Sequence, residues 1–575
     1  MAALALPFPG FLVLLLFGLF GLMLSCCIPI SHALSLRRPP RVPRFPYSAK
    51  QRGGGGGGDG SAEGIYLGVG GIKYDIQYYT QTLDHFDFRN ESTFQQRYLI
   101  DARHWNGADK PGPIFLYCGN EGDIEWFAAN SGFLWDIAPV FGALILFPEH
   151  RYYGESMPYG SGKAAYKDAN SLASLTSEQA LADFATLVTD LKKNLSAEAS
   201  PVVLFGGSYG GMLAAWFRIK YPHIAIGAVA ASAPILQFED IVPTDTFYRI
   251  VSSDFKREST SCFNYIRESW DAIDNIAAQN GGLHDLSTKF HMCRDLQGAW
   301  ELEDWLSSAY SYLAMVDYPF ASDFLMPLPA YPIREVCQAI DGLPDGSHVL
   351  SRIFAGASVY YNYTGNVDCF QPDDSGNIDL GTTGWNWQAC TEMVMPMSSD
   401  PDNSMFQPFS WDLKSYEQFC MENYGVKPRP YWITSEYGGK NIKAVLKNSA
   451  SNIVFSNGLL DPWSGGGVLE DISTSIVALV VPEGAHHLDL RAATESDPNW
   501  LVQQRATEMR YISKWLAEVY RDKKQTTKVS KVSNSWGFLI VMTVAILALI
   551  VIIKVDKYLV LGRVPMLYAP LQSAQ

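Results

Sequence analysis

The sequence predicts an α/β fold: a mainly parallel sheet with helices on both faces, interrupted by an inserted helical cap that disulfides tie together. Three observations predict it. Short apolar runs of strand length alternate with amphipathic stretches of helical period, the pattern of strands buried on both faces by crossover helices. That alternation stops near residue 240, where Trp/Glu/Asp-rich stretches and six of the nine cysteines begin, and it resumes near residue 451. Between one apolar run and the helix after it stands a serine framed by glycines.

In order, the predicted strands are Pro113–Tyr117 (PIFLY), Ala143–Phe147 (ALILF), Val202–Phe205 (VVLF), Ile226–Ala231, Ser451–Ser456 (SNIVFS) and Ile476–Val481 (IVALVV). A helix is predicted over Thr176–Leu195, which opens with Thr176 and Gln179 in capping-box spacing. A second follows the glycine-rich turn at Gly210–Tyr221, and a third lies near Pro498–Tyr520. The expected partition assigns 74–239 and 366–520 to the two parts of the α/β domain and 240–365 to the cap.

Of 575 residues 47% are hydrophobic and 18% charged, which provides for a large core and excludes both global disorder and a small disulfide scaffold. The net charge is -15, and since residues 1–52 and 521–575 are each net +6, the middle is net -27. An acidic middle excludes a nucleic-acid binder, whose partner needs a basic footprint.

The ends carry their own signals. No charged residue precedes Arg37, and the apolar run Phe11–Leu24 reads as the core of a signal peptide over 1–35, with an uncleaved anchor as the alternative because the positive leading segment is missing. Residues 36–73, rich in Pro/Arg and then Gly, read as a flexible leader or propeptide. Trp536–Ile553 is an 18-residue apolar stretch, close to the roughly 20 residues that span a bilayer. It is expected to be a transmembrane helix, after a basic linker at 521–535 and before a short tail at 554–575. In that tail Tyr558-Leu-Val-Leu561 and Tyr568-Ala-Pro-Leu571 have the spacing of sorting signals.

The compartment follows from the middle of the chain. Flanking Lys/Arg counts argue against a lumenal catalytic domain. They are overridden by three acceptor sequons, at Asn90, Asn194 and Asn362, and by cysteines that lack zinc-site spacing and so read as disulfides of an oxidising compartment. The six cysteines between residues 262 and 420 allow 15 pairings. No metal and no cofactor is expected.

The chemistry centres on Gly206-Gly207-Ser208-Tyr209-Gly210, a G-x-S-x-G directly between a predicted strand and a predicted helix. That context is the one a nucleophile elbow requires, since glycines admit the close approach of strand and helix around a strained serine. Base and acid should follow in the order Ser, Asp, His, each after a later strand. Asp461, in NGLLDPWSGGG, and His486, in PEGAHHLDL, fit; His487 is the rival base, Glu483 and Asp489 are less suited acids, and His150 is expected to be structural. The oxyanion donors expected are the N–H of Tyr209 and the loop of Gly119 and Asn120.

The blocks YCGNEGDIEWF, FPEHRYYGES, LTSEQALADF, GGSYGGMLAAWFRIKYPH, NGLLDPWSGGG and GAHHLDLR resemble a family of serine exopeptidases, the one that includes lysosomal Pro-X carboxypeptidase and dipeptidyl peptidase II. The resemblance covers about residues 74–520. It implies an α/β-hydrolase fold, post-proline cleavage at acidic pH through an acyl-enzyme, and Ser208, Asp461 and His486 as the triad. It also implies Met212, Met395 and Trp463 as walls of a proline pocket, and the disulfides Cys262–Cys337, Cys293–Cys369 and Cys390–Cys420. Cys118 departs from the family, which commonly has Thr there.

A carboxypeptidase needs cations or donors for a terminal carboxylate, which Arg491 and His487 offer. A dipeptidyl peptidase needs acids for a terminal ammonium, which Glu121 and Asp123 offer. The text between motifs (IEWF, GFLWDIAPVF, WQACTEMVMPM) is closer to Pro-X carboxypeptidase, so release of the residue after a penultimate proline is the expectation and dipeptidyl peptidase the alternative. An esterase or lipase and a silent membrane-tethered binding module are more distant. The partners expected are peptides with proline next to the terminal residue, the membrane through the C-terminal helix, and a second copy of the chain in a homodimer, with the catalytic domain in a lumenal, lysosomal or extracellular setting.

Overall fold

A computed structural model describes residues 66–67, 71–372 and 383–560. The predicted signal peptide, most of the leader and the tail beyond residue 560 lie outside the described residues, as do Cys26 and Cys27. So does the second sorting-type segment, along with the end of the first.

A nine-stranded sheet runs through the molecule in the order β1-β2-β3-β5-β4-β6-β7-β8-β9. The first three strands are β1 (Tyr66–Leu67), β2 (Lys73–Thr82) and β3 (Thr93–Asp101); then come β4 (Ile114–Tyr117), β5 (Leu144–Pro148), β6 (Val202–Gly207), β7 (Ala225–Ala231), β8 (Ile453–Gly458) and β9 (Ile476–Val481). Pairing is antiparallel from β1 through β3 to β5 and parallel from β5 across to β9. Every residue of β4, β5, β6 and β8 is buried, because helices cover both faces. The topology is that of an α/β-hydrolase, with the glycine-framed serine after β6 and the chain order Ser, Asp, His along later strand ends.

The predicted strands and the first two predicted helices are present with ends shifted by a residue or two, as fraying ends allow. Helix Ser177–Asn194 starts at the predicted cap, where the Thr176 side chain accepts from the N–H of Gln179. Helix Tyr209–Lys220 begins one residue earlier than expected. Between β7 and β8 the insertion is helical from Thr246 past residue 365 to Ser449. The disulfides join Cys262 to Cys337, Cys293 to Cys369 and Cys390 to Cys420, with Cα separations of 5.2, 5.0 and 5.4 Å; Cys118 is a buried free thiol.

The C-terminal helix departs from expectation. It runs without a break over Asn499–Val560, through the stretch expected to be a linker. Its first turns pack on the sheet, where the buried Trp515 ring fits against Gly227 so closely that a Cβ there would lie 2.3 Å from it. Among the described residues no helix is long and apolar enough to cross a membrane, so the expected span at Trp536–Ile553 is not supported.

Candidate active site

At the end of β6 the chain turns through Ser208 at φ 57° and ψ -127°, a positive φ on a residue with a Cβ, which costs about 1–3 kcal/mol. The turn is held because the N–H of Ser208 donates to the Ala231 carbonyl at 2.9 Å and helix Tyr209–Lys220 starts at once. Glycine is required on both sides. A Cβ on Gly207 would lie 2.8 Å from Cγ of His487, and one on Gly210 would lie 2.2 Å from Oδ1 of Asn120. Ser208 is thus framed by the His487 ring on one side and the loop after β4 on the other.

Asp461 and His486 follow β8 and β9, so the parallel sheet brings both to the edge where Ser208 emerges. Nδ1 of His486 lies 2.8 Å from Oδ2 of Asp461, and both side chains are fully buried. A carboxylate can only accept, so Nδ1 carries the hydrogen and Nε2 presents its lone pair. Among the described residues that Nε2 has no hydrogen-bond partner, Ser208 Oγ included. Asp461 is fixed in turn by the N–H of Trp463, donating to Oδ1 at 3.0 Å. The backbone of His486 is held by the cap: its N–H donates to the Met315 carbonyl at 2.9 Å and its carbonyl accepts from Tyr318 OH at 2.8 Å.

The N–H of Tyr209 belongs to the first helical turn, where donors have no intrahelical acceptor. Across from it, Nδ2 of Asn120 donates to the Gly207 carbonyl at 2.8 Å, which ties the Gly119–Asn120 loop to the elbow. The phenol of Tyr209 lies in a buried network. His150 Nδ1 donates to the Arg151 carbonyl at 2.7 Å, so its Nε2 accepts from Tyr209 OH at 3.1 Å; burial pushes this imidazole down to about 4 and keeps it neutral. Tyr209 OH accepts from Gln388 Nε2 at 2.9 Å, and the same amide group reaches Glu392 at 3.1 Å. His150, Gln388, Met315 and Tyr318 are absent from the sequence-based site, and no spacing in the sequence marks them.

Met212, Met395 and Trp463 are buried in the main apolar cluster, and the Trp463 ring meets Phe247 edge-on at 4.8 Å. Beside His487 lies Arg491, which donates to Oδ1 of Asn130 at 2.5 Å and to Ser322 at 3.3 Å and packs over the rings of Phe324 and Tyr318. Among the described residues no carboxylate lies within ion-pair distance of it, and Asp323 acts on it only through space. Burial, then His486 and then Arg491, push the His487 imidazole well below its usual range, so it is neutral.

The two candidate ammonium anchors differ from this. Asp123 caps helix Ile124–Ala129 by accepting from the N–H of Glu125 and pairs with Arg97 at 2.9 Å. Glu121 is buried with Oε2 unpartnered, and burial raises its carboxyl to about 7. Of the sequon asparagines, Asn194 is exposed at a helix end, while Asn90 and Asn362 are partly buried on loops. Among the described residues no cluster of His, Cys, Asp and Glu is arranged to hold a metal ion.

Comparison with known proteins adds the relationships. A family model described as serine carboxypeptidase S28 matches residues 81–508. The chain is 50% identical over 454 residues to lysosomal Pro-X carboxypeptidase of Pongo abelii and likewise of Homo sapiens, covering 78% of this chain and 89% of each relative. It is 36% identical over 537 residues to prolyl carboxy peptidase like protein 5 of Caenorhabditis elegans, covering 90% of this chain and 99% of that protein.

Proposed function

The chain belongs to the serine carboxypeptidase S28 family, and from that premise we propose that it is a Pro-X carboxypeptidase, a serine exopeptidase that releases the C-terminal residue following a penultimate proline. Ser208 Oγ attacks the carbonyl of that proline while His486 Nε2 takes its proton, and Asp461 holds the imidazole in the tautomer this needs. The N–H of Tyr209 and the Gly119–Asn120 loop receive the developing oxyanion. His486 then gives the proton to the departing amino acid, and water, activated by the same imidazole, hydrolyses the prolyl ester on Ser208. Met212, Met395 and Trp463 take the proline ring.

The observation that carries the carboxypeptidase reading over the dipeptidyl peptidase one is the Arg491 guanidinium, a cation beside His487 that among the described residues has no carboxylate within ion-pair distance. A terminal carboxylate would complete it. Of the two candidate ammonium anchors, Asp123 lies in a cluster with Glu125, Glu149 and Glu155 around Arg97, and Glu121, raised to about 7, is protonated at acidic pH and offers an ammonium no charge.

The test is mass spectrometry of two peptides incubated with the full chain at acidic pH, one with proline penultimate at its C-terminus, one with proline second from its N-terminus. Only the first should lose a residue, and Ser208→Ala should abolish it. Arg491→Gln should lower kcat/KM by about 10–100-fold, the worth of a charge-assisted hydrogen bond, without preventing fluorophosphonate labelling of Ser208. Release of an N-terminal dipeptide would overturn the reading.

The disulfides and the relatives named lysosomal support a catalytic domain in an oxidising lumen of the secretory or lysosomal system, with Asn90, Asn194 and Asn362 as glycan acceptors. Membrane attachment through 536–553 is a further proposal. Its support is the apolar residues of Met542–Ile553, exposed all around the helix. Release of the full chain from membranes by alkaline carbonate would refute it.

A further inference from the structure

The peptide group that joins His486 to His487 is gripped on both edges. Its carbonyl accepts from Tyr318 OH of the inserted segment at 2.8 Å, and its N–H donates to Ser232 Oγ at 2.8 Å. Ser232 is the first residue beyond β7 and is buried. Its own N–H donates at 2.7 Å to the carbonyl of Ser456 in β8, the strand that leads to Asp461. The carbonyl just before it, that of Ala231, accepts the N–H of Ser208 at 2.9 Å. Hydrogen bonds therefore tie this one residue and its peptide group to the segments that carry nucleophile, acid and base. No step of the reaction uses its hydroxyl.

The backbone of Ser232 stands at φ 45°, in the left-handed region that favours glycine. Two residues bound up with it share that region, Ser208 at φ 57° and His487 at φ 36°. Sparsely populated conformations gather in this way where geometry serves function. Glycine would adopt the conformation of Ser232 without steric cost but would offer the His487 N–H no acceptor, and a buried N–H left unpaired is costly. The His487 ring in turn packs against the elbow, since a Cβ on Gly207 would lie 2.8 Å from its Cγ. We propose that Ser232 is a positioning residue for the base: its hydroxyl holds the sheet-side edge of the His486–His487 peptide and so sets where the His486 imidazole stands relative to Ser208. Without Oγ the backbone of His486 is held from the cap alone, through Met315 and Tyr318, and the loop shifts on the sheet. Ser232 takes no part in proton transfer; it acts through the backbone of the histidine loop. The inference rests on the triad reading of the site but not on the peptide substrate.

The experiment uses the full chain and measures the rate at which a fluorophosphonate labels Ser208 as its concentration is raised, which remains readable even if no proline peptide is cleaved. Thermal unfolding is followed in parallel. Ser232→Ala removes the acceptor and keeps the strained backbone, Ser232→Gly removes the acceptor and relieves the strain, and Ser232→Cys keeps the shape with a weak acceptor. In the alanine and glycine variants alike the maximal labelling rate should fall by about 10–100-fold, the scale of a misplacement of about 1 Å, while the half-saturating concentration changes by less than about twofold. The glycine variant should unfold at a higher temperature than the alanine variant without recovering rate, whereas Ser232→Cys should recover part of it. A maximal rate within about twofold of the unmodified chain in either variant, or one that returns in Ser232→Gly along with stability, would overturn the proposal. If the alanine and glycine variants do not fold, Ser232→Cys decides: slower labelling by a folded protein supports the proposal and an unchanged rate overturns it. If that variant does not fold either, the hydroxyl serves the fold and the proposal falls. An unmodified chain that does not label at all would refute the triad reading and the proposal together, while labelling without cleavage of a proline peptide would refute the substrate alone.

Discussion

Tyr209 shows how one residue can serve the site twice. In the proposed mechanism its N–H receives the oxyanion, while its phenol, donating to His150 and accepting from Gln388, fixes where the first turn of the helix lies. Tyr209→Phe keeps the N–H and the ring but orphans the buried Nε2 of His150 and one hydrogen of the Gln388 amide, each worth about 1–3 kcal/mol of stability. The expected result is a lower unfolding temperature together with a kcat reduced about tenfold and a KM that changes less, below the 10²–10³ lost with a complete oxyanion donor. Steady-state kinetics on a Pro-X peptide measure this, and an unchanged kcat would confine the phenol to a structural role. The elbow at Ser208 and the contact between Asp461 and His486 lie where the sequence places them, each after a buried strand with glycines nearby. Gln388 and Tyr318 were not legible in the sequence: their partners lie 179 and 168 residues away, a distance no local pattern encodes.

At the scale of elements, legibility followed burial. Strands covered on both faces, such as Val202–Gly207 and Ile453–Gly458, are continuous apolar runs and announce themselves. Lys73–Thr82 and Thr93–Asp101 did not, because on the antiparallel side of the sheet polar Gln, Thr and Asp interleave with their aromatic and aliphatic residues. The insertion was legible as helical and disulfide-tied, but not its part in the site. Helix Ala299–Met315 ends with a carbonyl that has no acceptor role within the helix and takes the N–H of His486 instead. Helix Thr383–Thr391 delivers Gln388 to Tyr209, and Cys390, two residues on, is anchored to Cys420. The inserted helices are therefore part of the frame that holds His486 and Tyr209, so on the proposed mechanism a change in cap packing should register in the chemistry.

For the whole molecule, the buried titratable groups decide at what pH the fold is most stable. Burial raises Glu121 to about 7 and Asp254 to about 8, and each has a carboxyl oxygen without a partner; Glu392 is raised to about 8 by burial as well. A group whose folded pKa is raised contributes stability that is fully present below its unfolded pKa, near 4, and that is lost as pH climbs through the folded value. His150 has the opposite sign: its folded value of about 4 is depressed, so its contribution is present above about 6.5 and lost as pH falls toward 4. From about pH 4 to 6.5 the two effects oppose each other. Above that only the carboxyls titrate, and stability should fall by on the order of a few kcal/mol per pH unit until they are ionised. Because three raised carboxyls outweigh one depressed histidine across that window, the unfolding temperature of the full chain should be highest at about pH 4–4.5 and fall by several degrees toward pH 8. Calorimetry across that range tests it, and an unfolding temperature that rises from pH 6.5 to 8 would mean that these carboxyls reach solvent or a counter-charge in the folded chain. A decline would match an enzyme of an acidic lumen, because the protons that keep its buried acids neutral are the ones such a compartment supplies.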